Sequence, residues 1–365
     1  MQLGCTKKLQ NYLKRDISPV DPSADPFFSW SADLMTLNRH KTISVVNDCT
    51  RCGFVLYGVT AETKNDLEQQ IMDGIRTMLA ADEITPDLID RYMEDCGQTI
   101  TLTKTRDRST VARMNKFNER IYCMSDKFIL GPLHQRHCLL RLNDDIIMSH
   151  GKYNRTLKLL QRAFTEHYGA DQVFQHHTLT LTVNLLLDIP CSRVVQVPAS
   201  FPLANLHRIV QRLFYWQDCH QHEFRTPDGL PLDAAFPEYA DLARIREYDE
   251  RDCTKIELCV SLQEAFARYQ TLIYTYDFGD DWQHEITLNT ETIDAESAPP
   301  RCITAIGTPP PEDVGGESGF AELRRILSNP QDEEYEDMKN WADSMGWKPS
   351  DLEQINEGLK RWGWR

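Results

Sequence analysis

Apolar and polar residues follow two distinct periods along the first half of the chain. A strand-like period predicts three strands, at residues 30–37, 42–47 and 54–60, because successive side chains of a strand point to opposite faces. Apolar residues three and four positions apart predict helices at 62–80 and 109–124. Together these elements predict an N-terminal α+β domain over residues 1–150.

A second group of elements follows residues 151–177, which are predicted to form a linker helix with a polar end. Alternating apolar positions then predict a β-hairpin, and it is followed by a helix at 203–216 and a strand at 222–225. This succession of hairpin, helix and strand is typical of a β-grasp-like sheet, and we expect C-terminal helices after it. The chain is therefore predicted to be an α+β protein of two domains, the second covering residues 178–365.

The negative charge of the chain lies almost entirely in the second predicted domain. The net charge is −15, to which residues 1–177 contribute +1 and residues 178–365 contribute −16. An acidic surface repels polyanions. Any nucleic-acid or nucleotide partner is therefore expected to bind through the first half. A protein partner is also expected there.

The lengths of the apolar runs and the number of cysteines predict the cellular compartment of the protein. No apolar run approaches the roughly 20 residues that span a bilayer, and the first ten residues lack a secretory signal pattern, so we expect no membrane partner. The eleven cysteines are scattered and odd in number, which is typical of reduced thiols. We therefore expect a cytoplasmic protein.

A basic segment lies where a predicted strand gives way to the helix at 109–124. Arginine can bind phosphate through two hydrogen bonds, and the start of a helix offers unpaired N–H groups. We therefore predict an anion-binding site formed by Arg106, Arg108 and Arg113. The alternative is a solvated basic helix face, with Asp107 and Glu119 as salt-bridge partners.

Histidines and carboxylates, which bind divalent metal ions, are densest in the second half. His220 and His222 are two residues apart, so on a strand both rings would point to one face. A glycine turn can return Asp280 and His284 over that face. We predict that these four residues converge and hold a divalent metal ion, such as zinc, manganese or iron.

Further carboxylates are expected to form the rim of this predicted cleft: Asp277, Glu312 and Asp313. So many negative charges repel one another unless a cation or protons intervene, which is why the cluster predicts a metal site. The alternative is that these side chains only bond to backbone amides in tight turns.

Residues 178 to about 362 resemble the Ri-plasmid open-reading-frame-three-like family, also described as a passenger protein of insertion elements. The similarity rests on these segments, in order: Leu203-Ala-Asn-Leu-His-Arg-Ile-Val, Trp216 through Phe224, Tyr276-Asp-Phe-Gly-Asp-Asp-Trp-Gln-His-Glu-Ile286, Pro300-Arg301-Cys302 and Pro310-Pro-Glu-Asp-Val-Gly-Gly316. The chain departs from the family at Asp188-Ile-Pro-Cys-Ser-Arg193, where a Pro-Pro-x-Trp-Arg-Arg-like stretch is usual. The resemblance implies a fold and a mobile-element context, and it implies no reaction.

Residues 1 to about 125 are similar to a bacterial domain of unknown function. The similar segments are Cys5-Thr-Lys-Lys-Leu9, Pro26-Phe-Phe-Ser-Trp30, Asn38-Arg-His-Lys-Thr42, Val46-Asn-Asp48 and Arg108-Ser-Thr-Val-Ala-Arg-Met-Asn115. This resemblance also implies no reaction.

Three functional hypotheses from different classes follow. The resemblance favours a cytoplasmic accessory protein of mobile-element or defence context, acting as a binding module for a protein, nucleic acid or nucleotide. The clustered histidines and carboxylates favour a metal-dependent hydrolase. The acidity of the second half favours an interaction protein that inhibits a nucleic-acid-binding enzyme. The sequence leaves open which of them holds, whether the protein is an enzyme, and its oligomeric state.

Overall fold

The computed structural model describes residues 1–97, 99–149, 152–239, 255–294 and 296–361. Contacts between residues divide the chain into two compact units, Met1–Gln175 and His176–Trp364. Both contain helices and sheets, so the predicted α+β class is confirmed. The predicted boundary at residues 150 and 151 lies outside the described residues, and separate folding of the two units stays a prediction.

A five-stranded sheet forms the centre of the first unit. Its strands are β1 (Gln2–Cys5), β2 (Ser29–Leu37), β3 (His40–Asn47), β4 (Gly53–Tyr57) and β5 (Thr101–Lys104), in the spatial order β4-β3-β2-β1-β5. The strands β2, β3 and β4 form an antiparallel meander, while β1 runs parallel to both β2 and β5. The meander confirms the three strands predicted from the apolar pattern.

Helices and one hairpin complete the first unit. They are α1 (Lys7–Leu13), α2 (Ala61–Asn65), α3 (Leu67–Ala81), α4 (Pro86–Asp95), α5 (Arg108–Cys123), α6 (Arg136–Asn143), β6 (Ile146–Ser149), β7 (Lys152–Arg155) and α7 (Thr156–Tyr168). The helix α7 occupies the segment predicted as a linker. Its side chains Leu160, Ala163 and Phe164 lie in the core of the first unit, because apolar residues three and four apart form one buried face. The segment is thus part of that core and does not act as a linker.

A six-stranded antiparallel sheet forms the centre of the second unit. Its strands are β8 (His176–Leu185), β9 (Ser192–Pro198), β10 (His222–Arg225), β11 (Thr271–Tyr276), β12 (Trp282–Asp294) and β13 (Arg301–Ile306), in the spatial order β10-β11-β12-β8-β9-β13. The helices are α8 (Leu203–Leu213), α9 (Leu232–Ala235), α10 (Lys255–Cys259), α11 (Leu262–Arg268), α12 (Gly316–Leu327), α13 (Tyr335–Ser344) and α14 (Leu352–Arg361). The predicted hairpin, helix and strand are present, with β10 at the sheet edge beside β11. The β-grasp likeness stays a prediction.

Arg193 is a fully buried charged residue on β9. Its guanidinium donates to the carbonyl of Leu213 at the end of α8 (3.0 Å) and to that of Ile306 in β13 (2.7 Å). It also donates to the hydroxyl of Ser350, before α14 (2.6 Å), and lies over the ring of Phe214. One side chain therefore joins three elements of the second unit.

One residue on the outer edge of β13 is bonded to a side chain of α14. The N–H of Cys302 donates to the side-chain oxygen of Asn356 on α14, and the side-chain NH₂ of Asn356 donates to the carbonyl of Cys302, both at 2.9 Å. The amide of Asn356 thus forms the pair of bonds that a neighbouring strand would form.

Asp82 is buried in the first unit directly after α3. Its carboxylate accepts a hydrogen bond from Asn143 (2.9 Å), whose own side-chain oxygen accepts from the N–H of Gly53 (2.8 Å). Burial raises the pKa of Asp82 well above its usual range, since a low-dielectric surrounding disfavours the charged form.

Replacing Asp82 by Asn is expected to stabilise the protein at pH 7. A folded-state pKa above the unfolded value gives stability that is present below the unfolded pKa and is lost as the pH rises. The amide keeps the acceptor for Asn143 without this loss, so the gain should vanish below about pH 4. Chemical denaturation between pH 3 and 8 measures it, with the exposed Asp16→Asn as control. A gain that does not depend on pH would contradict this account.

Two further observations concern membrane-spanning helices and disulfide bonds. Within the described ranges, no helix is both long and apolar enough to cross a lipid bilayer. No disulfide joins the cysteines that the structure describes. The cytoplasmic location stays a prediction.

Candidate metal centre

His220 lies among three carboxylates in the second unit. Its Nε2 atom is 3.0 Å from Oδ1 of Asp313, 3.6 Å from Oδ2 of Asp277 and 3.9 Å from Oε2 of Glu312. Two sets of side chains, Cys219 with His220 and Glu312, and His220 with Asp277 and Asp313, each place their ligand atoms within 4.8 Å of one another. We call these five residues the His220 cluster.

The loop at residues 309–316 carries two members of the cluster and is held at its start by two tryptophans. The indole N–H of Trp347 donates to the carbonyl of Pro309 (2.8 Å), and that of Trp216 donates to the carbonyl of Pro310 (3.0 Å). Proline also restricts the backbone torsion of this segment. The loop therefore presents Glu312 and Asp313 from a fixed backbone.

Glu312 is the most buried carboxylate of the cluster, with 4% of its surface exposed. Its Oε1 accepts hydrogen bonds from the N–H of Gln217 (2.8 Å) and from the hydroxyl of Tyr276 (3.0 Å). Its Oε2 is buried, has no hydrogen-bond partner and lies on the side of His220. Burial raises the pKa of Glu312. An unsatisfied buried acceptor of this kind costs about 1–3 kcal/mol, and a cation would remove that cost.

Asp277 is placed by the turn between β11 and β12. Its backbone is in the left-handed region (φ 57°), which Asp tolerates better than most residues. Its Oδ1 accepts from the N–H of Gly279 (2.9 Å), and this bond leaves Oδ2 directed at His220. The turn therefore supplies a second oxygen ligand beside the loop at 309–316.

Cys219 was missing from the predicted ligands, although it directly precedes His220. Its N–H donates to the hydroxyl of Tyr276 (3.1 Å), and its side chain is exposed. Partial desolvation of the thiol and the charge of Glu312 raise its pKa. Adjacent Cys and His residues are the signal from which sequence analysis could have identified it.

The structure corrects the predicted position of His222. The strand β10 begins at His222, so His220 lies before the strand and the alternation rule does not apply to the pair. The Nε2 of His222 is 2.9 Å from Oε2 of Glu257, and its ring stacks on that of His207 at 3.6 Å. His222 is therefore not a member of the cluster.

Asp280 and His284 also lie outside the cluster. Asp280 accepts a hydrogen bond from the N–H of Gly315 (3.2 Å), so it joins the turn to the loop at 309–316. His284 is fully buried within β12 and packs edge-on against Trp216. Its Nδ1–H lies near the carbonyl of Trp282 (3.2 Å), and burial lowers its pKa to about 3. Of the four predicted ligands, only His220 lies in the cluster, where the three predicted rim residues surround it.

Two of the three arginines predicted to bind an anion also bond to the protein itself. Arg106 donates to the carbonyl of Ala24 (2.7 Å) and lies 4.0 Å from a carboxylate oxygen of Asp48. Arg113 donates to the carbonyl of Asp48 (3.0 Å). Arg108 is exposed at the first residue of α5. Two of the three thus bind the protein's own loops, and anion binding stays a prediction.

Both halves of the chain match known sequence families. Residues 177–356 match the family described as plasmid pRiA4b ORF-3-like protein, and residues 2–158 match the domain of unknown function DUF6933. The uncharacterized protein y4hQ of Sinorhizobium fredii is 30% identical over 186 residues, which are 50% of this chain and 89% of that protein. A crystal structure of a protein of unknown function from Methanosarcina mazei Go1 is 26% identical, with a TM-score of 0.39, over 49% of this chain and 97% of that chain. The chain belongs to the plasmid pRiA4b ORF-3-like family through its second unit, and a DUF6933 domain precedes that unit in the sequence.

Proposed function

We propose that this protein is an accessory protein of a mobile-element context and acts as a binding module, with a divalent metal ion as the ligand of its second unit. The observation that carries the proposal is the buried Oε2 of Glu312, which has no hydrogen-bond partner and lies 3.9 Å from Nε2 of His220. A buried polar atom in a native protein normally has a partner. A metal ion between these two atoms supplies one.

The residue types of the His220 cluster fit this proposal. Imidazole, carboxylate and thiolate are the ligands of zinc and of other first-row transition metals. The carboxylates of Asp277, Glu312 and Asp313 lie around one imidazole, so their mutual repulsion decreases when a cation binds. The family match to a plasmid protein supports the mobile-element context.

A metal-dependent hydrolase is the second candidate function, and the exposure of the cluster favours it. The side chain of Asp313 is 63% exposed and that of His220 is 30% exposed, so one side of the cluster is open to solvent. An ion held there by the cluster would be open to water on that side, and a metal-bound water would be acidic enough to act as a nucleophile near neutral pH.

The first half remains the proposed contact for a protein, nucleic acid or nucleotide. The uneven distribution of net charge supports this proposal, because the first 177 residues carry +1 while the rest carry −16. Oligonucleotide binding that weakens with salt and with Arg108→Ala would support this contact. Binding that is unaffected by both changes would contradict it.

Calorimetric titration of the full chain with zinc and with manganese tests the metal site. We expect stoichiometric binding, weaker by about 100-fold or more in Glu312→Gln, since even residues behind a metal ligand contribute about 10- to 100-fold. The matched control is Glu285→Gln, an exposed glutamate on β12, which should bind like the wild type. No binding by the wild type, or equal binding by Glu312→Gln, would refute the site.

Hydrolysis of p-nitrophenyl esters of phosphate and of acetate by the metal-loaded protein separates the two functions. Turnover that disappears in Glu312→Gln supports the hydrolase. Metal binding without turnover supports the binding module.

A further inference from the structure

We propose that the metal ion is zinc and that it is held by Cys219, His220 and Glu312, with the exposed Asp313 outside the ligand set. This inference rests on the proposed metal site and identifies the ion and its donor atoms. It differs from the predicted ligand set, which contained no sulfur.

The distances within the cluster suit a tetrahedral ion. Zinc bonds of about 2.0–2.3 Å place neighbouring ligand atoms about 3.3–3.8 Å apart in tetrahedral geometry. The Nε2 of His220 and Oε2 of Glu312 are 3.9 Å apart, which is near this separation. The thiol of Cys219 lies within 4.8 Å of both atoms. Rotation of this exposed side chain can shorten these two distances to the separation that a tetrahedral ion requires.

One hydroxyl group orders two of the three ligands. The hydroxyl of Tyr276 accepts a hydrogen bond from the N–H of Cys219 (3.1 Å) and donates one to Oε1 of Glu312 (3.0 Å). The ring of Tyr276 is fully buried and stacks on Trp216, so this hydroxyl has a fixed position. Metal sites typically contain such groups, which do not contact the ion but fix the orientation of its ligands through hydrogen bonds. Because Oε1 of Glu312 accepts the hydrogen bond from Tyr276, Oε2 is the atom that binds the ion.

The chemistry of the donors favours zinc over magnesium or calcium. Magnesium and calcium prefer sites made only of oxygen, whereas thiolate combined with imidazole is a donor set for zinc. A thiolate and a carboxylate together carry two negative charges, which neutralise one divalent ion. Binding releases the thiol proton of Cys219, and any proton on Glu312, to solvent.

Metal titration and cobalt spectroscopy of the full chain test this inference, because cobalt(II) bound to thiolate gives a charge-transfer absorption in the near ultraviolet. We expect zinc to bind and magnesium not to bind measurably. In Cys219→Ser, zinc affinity should fall at least tenfold and the charge-transfer band should disappear. The matched control is Cys123→Ser, an exposed cysteine of α5, which should keep both. Asp313→Asn should keep the band and most of the zinc affinity.

The outcomes separate this inference from the proposed function. If Cys219→Ser binds zinc as the wild type does, while Glu312→Gln does not, the metal site holds and the sulfur ligand is refuted. If Asp313→Asn abolishes binding, the carboxylates with His220 form the ligand set, and the inference is refuted. If the wild type binds no metal at all, the proposed function fails as well.

Discussion

Replacing Arg193 by Ala is expected to lower the free energy of unfolding of the second unit by about 3–5 kcal/mol. The guanidinium is fully buried and donates to backbone carbonyls of α8 and β13 and to Ser350. Its loss removes the donor to the buried carbonyl of Leu213 and to the partly buried carbonyl of Ile306, while Ser350 keeps its bond to the carbonyl of Gly307. It also leaves a cavity beside Phe214, over which the guanidinium lies.

A lysine at this position should restore only part of the stability. Lysine keeps the charge, but a single ammonium group cannot reach three acceptors that lie in different directions. The control is Arg301→Ala, an exposed arginine on the neighbouring strand β13, which should change little. Urea denaturation followed by tryptophan fluorescence measures all three variants. If Arg193→Ala unfolds at the wild-type urea concentration, its hydrogen bonds contribute nothing net.

Replacing Gly319 by Ala is expected to damage both the stability of the second unit and its metal site. A Cβ atom at Gly319 would lie 1.8 Å from the carbonyl oxygen of Val314, so the backbone of Val314 must move. Val314 directly follows Asp313 in the loop at 309–316, so the movement also displaces the carboxylates of the His220 cluster. We expect a loss of about 1–3 kcal/mol in stability and a marked loss of metal affinity.

The opposite result is expected for the same substitution two helices later. Gly358 lies within α14, and a Cβ there meets no atom within 4 Å. Gly358→Ala should therefore stabilise the protein by about 0.5–1 kcal/mol, because alanine loses less backbone entropy in a helix than glycine does. Thermal unfolding and zinc titration of both variants form the test. Loss of metal binding in Gly358→Ala would show that the effect at Gly319 is not local.

The strands and helices of this chain could be predicted because their signal is local. The strand Ser29–Leu37 is predicted to within one residue by its apolar pattern alone. The role of α7 could not be predicted in this way. Its apolar face indicates that it packs against something, but no local pattern says that the core it joins is that of the first unit.

The candidate site depended on where a strand begins and on contacts between distant residues. The prediction placed the rings of His220 and His222 on one face of a strand. The strand starts at His222, so His220 lies before it. A two-residue error in a strand boundary is enough to change the predicted direction of a side chain. The bond from Tyr276 to Glu312 joins residues 36 positions apart. The three acidic residues were recognised as neighbours of the site, because their loops are rich in turn-forming residues. Their central position follows only from the tertiary structure.

The amide of Asn356 has a consequence for how copies of this protein behave toward one another. A sheet edge with exposed N–H and C=O groups recruits strands from other molecules, and natural proteins block such edges. Here a single side chain from α14 occupies the N–H and C=O of Cys302 on the last strand of the sheet. The helix α14 therefore blocks strand addition at Cys302, and its detachment would expose the backbone of this residue to strands of other molecules.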